Sequence, residues 1–167
     1  MEKYSTKYME NHCIDVFFAC GDYPIHVLTA GSIIPDELND IFQNRTLQEK
    51  TEHNEGGKTD VDFTANSEYI QSLIRKNQVF IENSHQTQWG VIDVPSEEQV
   101  LSHFRFYASQ GFYSCDCSEV KEDGTAVYRL MAWPNQLQPL NYQLPQFTPR
   151  EFSKGNNEFP LPETFLM

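Results

Sequence analysis

The sequence predicts an α+β fold: an antiparallel sheet of about five or six strands built from hairpins, two or three helices packed on one face, and a Pro-rich irregular C-terminal arm. Three observations carry that expectation. Two pairs of β-prone runs are each joined by turn residues, a capped amphipathic stretch precedes the second pair, and prolines crowd the end of the chain. A chain of 167 residues is long enough for one core without staples, since it buries about 70% of its unfolded surface. The expected division is a globular domain over 1–134 and an extended arm over 135–167 that docks on it.

Asp15 to Ala19 and Ile25 to Thr29 are rich in β-branched and aromatic residues, and Gly21-Asp22-Tyr23-Pro24 between them is turn chemistry, so the first element is a hairpin. Pro35 suits a first helical turn, with Asp36 and Glu37 near the positive end of the dipole and Leu38, Ile41 and Phe42 on one face. That helix is expected to continue or restart through Leu47, until Asn54, Gly56 and Gly57 break it. Asn66 caps a second helix, in which Tyr69, Ile70, Leu73 and Ile74 form the apolar stripe. Val79 to Ile81 and Trp89 to Val94 read as strands.

Ser96 with Gln99 three residues later is a capping-box pattern. Val100, Leu101, Phe104, Tyr107 and Ala108 then give an apolar face, and Gly111 stops the helix. Phe112 to Ser118 and Ala126 to Trp133 flank Glu122-Asp123-Gly124 and predict the second hairpin. From Pro134 onward six of the nine prolines accumulate and no period survives, yet Leu140, Leu144, Phe147 and Phe152 remain as apolar anchors.

Charge excludes whole classes of partner. There are 24 Asp and Glu against 12 Lys and Arg, a formal net charge of -12, and Arg75-Lys76 is the only adjacent basic pair. Counterion release from a nucleic acid needs converging cations, so nucleic acid is not an expected partner, and an anionic membrane surface is disfavoured for the same reason. No apolar run approaches the roughly 20 residues of a membrane span. Asp15 interrupts the apolar run from Cys13 to Cys20, which therefore reads as a strand rather than a secretory segment. Four cysteines are too few for a disulfide scaffold, which points to the reducing cytoplasm, where acidic proteins of this kind are common in bacteria.

Local motifs are sparse. Cys115 and Cys117, two apart on a strand, share one face, but two thiolates are too few for a metal; they read as structural thiols, and no cofactor is expected. Asp60-Val61-Asp62 resembles the acidic triplet with which many nucleotide-sugar transferases hold a divalent ion. The chain is too short for the nucleotide-binding domain such enzymes need, so the triplet reads as solvated carboxylates. A nucleophile elbow, a phosphate-cradling glycine loop and a His-Glu-x-x-His helix are absent from the sequence.

Two functional expectations follow. The first is a non-catalytic protein-binding module of the inhibitor or immunity type, offering Tyr113, Asp116, Glu119, Tyr128 and Trp133 as an acidic, aromatic surface to a basic protein. The second is a small enzyme or small-molecule-binding domain with a pocket between helices and sheet. Its candidate residues are His26, Asp22 and His103; His26 can meet Asp22 or Asp15 across the first hairpin, and a carboxylate-oriented imidazole is what general-base work requires.

Overall fold

In the computed structural model, the described residues are 2–53, 60–83, 94–120, 122, 126–140, 143–147 and 157–158. The two expected hairpins supply four consecutive strands of one sheet. β1 (Asp15–Cys20) turns at Gly21, whose φ of +60° suits glycine, and returns antiparallel as β2 (Tyr23–Leu28), with Phe17 opposite His26. β4 (Tyr113–Val120) and β5 (Ala126–Pro134) make the second hairpin, with register shifts on either side of Cys115–Cys117.

The two hairpins meet in parallel, which departs from the purely antiparallel sheet expected from sequence. β2 lies alongside β4, with Ile25 opposite Tyr113 and His26 opposite Ser114. A turn of a few residues cannot join parallel neighbours, and the chain between them is a long crossover that carries every described helix except one that precedes β1. β3 (Phe63–Ala65) pairs antiparallel with the end of β5, giving the order β1-β2-β4-β5-β3, and β6 (Asn157–Glu158) pairs with the start of β5.

Among the described residues four helices accompany the sheet: α1 (Thr6–Glu10), α2 (Ile41–Glu52), α3 (Ser67–Asn83) and α4 (Glu97–Ser109). The capping box of α4 forms as expected: Ser96 Oγ accepts from Gln99 N–H at 3.2 Å and Gln99 Oε1 accepts from Ser96 N–H at 2.8 Å. The helix expected at Pro35 is instead a turn, because Asp40 caps α2 by accepting from Gln43 N–H at 3.0 Å and so sets the start at Ile41. Val79 to Ile81 belong to α3 rather than to a strand, the helix carrying local β-propensity along with it. The strand expected at Trp89 to Val94 and the turn at Asp123-Gly124 lie almost wholly outside the described residues.

Strand alternation sends side chains to two covers. On one face Val16, Phe18, Ile25, Val27 and Cys115 pack against Met9 of α1, Ile34, Leu38 and Phe147. On the other, Phe17 packs with Leu47 of α2, Tyr107 of α4 and Phe112, while Ile70 of α3 joins Leu101, Phe104 and Met131. Part of the C-terminal stretch runs beside β1: Ala19 N–H donates to the Pro145 carbonyl at 2.9 Å and Phe147 N–H to the Ala19 carbonyl at 2.8 Å. Most of residues 148–167 lie outside the described set. No helix among the described residues is long and apolar enough to cross a membrane.

Candidate functional site

The helix-covered face holds a polar cluster assembled from β1, β2, β4 and α4. Asp15 and Phe17, two apart on β1, share that face; His26 lies opposite Phe17, and the parallel junction sets Ser114 beside His26. From above, α4 contributes His103 and, one turn later, Tyr107, whose ring stacks on that of His26 with centroids 4.0 Å apart.

Asp15 is the hub. Its Oδ1 lies 2.7 Å from His26 Nε2 and 2.7 Å from His103 Nε2. The other nitrogen of His26, Nδ1, lies 2.7 Å from Ser114 Oγ. Hydrogen-bond logic assigns the protons: an ionised carboxylate only accepts, so both Nε2 atoms donate to it, and a neutral His26 then accepts the Ser114 hydroxyl at Nδ1. Gln48 Nε2 of α2 stands 3.5 Å from the second carboxylate oxygen.

Access rises steeply across the cluster, with side-chain exposure of 0% at His26, 11% at Asp15 and 42% at His103. Electrostatics follow access. Burial by itself raises the Asp15 carboxyl, but the hydrogen bonds and charges of His103 and His26 outweigh it and hold the group far below the usual carboxylate range. Burial lowers His26 despite Asp15, whereas the hydrogen bond to Asp15 raises half-exposed His103. Nearby Asp116 is pushed up to about 6 by burial.

The order Ser114–His26–Asp15 has the connectivity of a nucleophilic triad, yet Ser114 is fully buried and cannot meet a substrate in this conformation. The open group is His103, with Asp15 holding its Nε2 and solvent on the ring. An imidazole so held can give or take a proton.

Of the residues expected from sequence, His26 and His103 converge through Asp15, while Asp22 does not join them. It is exposed in the β1–β2 turn and lines a separate cavity of about 330 Å³ with Pro24, Leu140 and Leu144. The expected acidic, aromatic surface is not assembled. Tyr113 and Tyr128 are 6% and 1% exposed, Trp133 and Asp116 are partly buried, and only Glu119 stands fully out, because β4 and β5 turn their aromatics into the core. Cys115 and Cys117 are free thiols of the face opposite α4, the first buried and the second partly so, with burial pushing Cys117 up to about 11.

The sequence offered Asp15 only as one of two partners for His26, not as the hub that also holds His103, and it gave no sign of Ser114. A carboxylate interrupting an apolar strand was the available signal for Asp15; Ser114, set among aromatic residues, offered none. Neither family models nor curated proteins nor solved structures match the chain.

Proposed function

We propose that the protein is a small ligand-binding domain with acid–base capability, its site being the Asp15 cluster at the seam between α4 and the sheet. One observation carries this reading: two imidazoles from distant segments aim at a single carboxylate oxygen, and the second of them reaches solvent. Tying α4 to the sheet does not call for so much polarity, since well-packed apolar side chains of similar volume hold such a seam as well or better. Perturbed titratable groups in mutual contact are what binding and proton transfer need. The ligand is a small polar molecule that exchanges a proton with His103, in surroundings made negative by Asp15, Glu52 and Asp116.

A screen of small polar fragments by NMR, run in EDTA, tests the reading. Binders are expected to shift the ring resonances of His103 and to lose affinity with His103→Asn. Fragments that bind the variant equally well, or an empty screen, count against it.

A second reading, a non-catalytic module for a basic protein partner, is favoured by the excess of 24 acidic over 12 basic residues and by the exposed end of β4, where Glu119 and Val120 stand out. It expects a partner that is retained at low salt, weakened at moderate salt and lost on Glu119→Lys. Retention of that partner by the variant, or no partner at either salt, defeats it.

A further inference from the structure

We propose that Asp15, His26 and His103 bind one divalent transition-metal ion, with zinc the foremost candidate. The inference rests on the reading of this cluster as the functional site and names what it holds. Among the described residues, this is the only grouping of three His, Cys, Asp or Glu side chains whose ligand atoms all lie within 4.8 Å of one another. A tetrahedral ion with bonds of about 2.1 Å sets its ligand atoms about 3.4 Å apart. Asp15 Oδ1 is now 2.7 Å from each Nε2, so each of these two separations must lengthen by roughly 0.7 Å to admit the ion.

The donor set selects the metal. Two imidazole nitrogens and one carboxylate oxygen suit zinc, iron(II), cobalt(II) or nickel(II), whereas calcium and magnesium take oxygen shells. Three protein ligands with the cluster open on the His103 side leave a fourth position for water, the arrangement of a reactive rather than a closed structural site.

Ser114 supplies the second requirement. A ligating histidine donates its other ring N–H to a fixed partner, which orients the ring and keeps the lone pair on the metal-facing nitrogen. Ser114 Oγ stands 2.7 Å from His26 Nδ1, and a hydroxyl can donate to that nitrogen or accept from it. Without metal, His26 carries its proton on Nε2 and bonds Asp15. With metal, the His26 proton moves to Nδ1, whose N–H donates to Ser114 Oγ, and the Nε2 proton of His103 passes to its other ring nitrogen or to solvent, so that both Nε2 atoms are free to ligate. The pocket therefore accommodates both tautomers of a sealed imidazole with no rearrangement of the strands. Charge agrees: Asp15 neutralises half of a divalent ion, and Glu52 and Asp116 near His103 offset the rest.

The test is titration of the EDTA-stripped full chain with zinc chloride by calorimetry, and with cobalt chloride by visible absorption. One ion per chain is expected, with the intense visible bands of four-coordinate cobalt. His103→Ala, at the half-exposed position, should leave the fold intact by circular dichroism and weaken binding by at least about tenfold. Ser114→Ala should weaken it by about 10- to 100-fold, as loss of a partner behind a ligand does. No binding to the stripped chain overturns the proposal. So does zinc held equally by wild type and His103→Ala, which assigns the ion to other side chains. If fragments bind His103 in EDTA but zinc and cobalt do not bind, the metal inference falls and the site reading stands; the reverse pattern leaves the metal and removes the small organic ligand.

Discussion

On one face of the sheet, Val16, Phe18, Ile25 and Val27 meet Met9, Ile34, Leu38 and Phe147; on the other, β1, β2 and β4 present Asp15, His26 and Ser114 to α4. Sequence neighbours thus serve opposite purposes, Asp15 beside Val16 and His26 between Ile25 and Val27. One register fixes both faces at once, because a slip of one residue would drive Asp15 into the apolar layer and Phe18 onto the polar cluster. The apolar face supplies cohesion, and the polar face spends part of it on arrangement.

The largest effect expected from breaking this contrast lies on the apolar side. Phe18 is fully buried, so Phe18→Ala should cost about 3–5 kcal/mol in urea unfolding, through lost transfer energy and the cavity left behind. Ligand or metal affinity of the molecules that remain folded should not change; a specific loss of affinity would show that the two faces are not separable.

Asp15→Asn comes next, with an expected loss of about 2–3 kcal/mol near neutral pH, since two imidazoles lose their shared ionic acceptor. Its pH signature in metal-free protein is more informative than its size. The folded value of Asp15 is depressed, so its stabilisation is present above the unfolded carboxylate value of about 3.9 and is lost as pH falls toward the folded value. His103 is raised, so its contribution is complete below the unfolded value of about 6.5 and is lost as pH rises through the folded one. Wild type should therefore lose stability at both ends of a pH series of unfolding curves, and the variant should be flatter at the alkaline end, while buried His26, lowered further without Asp15, keeps an acid-side loss in the variant. Parallel curves would deny the coupling.

The smallest effect has the opposite sign. Asp116, pushed up to about 6 by burial, favours the folded state when protonated; that advantage is full below about 3.9 and lost as pH rises through 6. Asp116→Asn removes the cost of ionisation, so it should gain on the order of 1 kcal/mol at neutral pH, and the gain should vanish in mild acid. Equal stabilities at the two pH values would place the Asp116 carboxyl in water.

Local signals carried the hairpins and α4 well. Gly21 and its flanking β-branched runs, and the Ser96–Gln99 pair, act through neighbours in sequence, and the structure repeats both elements, although Tyr23 and Pro24, expected in the turn, pair with Cys20 and Ala19 as the start of β2. Where tertiary context decides, the sequence was silent or misleading. The parallel match of His26 with Ser114 joins residues with no common local motif, and Val79 to Ile81 look like a strand to any window too short to contain α3. The site follows the same division. His26 and His103 were visible as residue types suited to chemistry, but only the pairing of β1 with β2 and the docking of α4 bring them to Asp15 rather than Asp22.

The parallel junction between β2 and β4 also shapes how the chain folds. Each hairpin closes over a short loop, whereas His26 and Ser114 meet across 88 residues. Contacts of such high separation come late and slow the search, although the closure penalty grows only logarithmically, at about 0.6 kcal/mol for each doubling of loop length. Until they meet, the facing edges of β2 and β4 are unpaired, and each can template the complementary hairpin of another chain. Closing the junction therefore commits the chain to its own second hairpin, and exchange of hairpins between copies is the error that a slow junction invites.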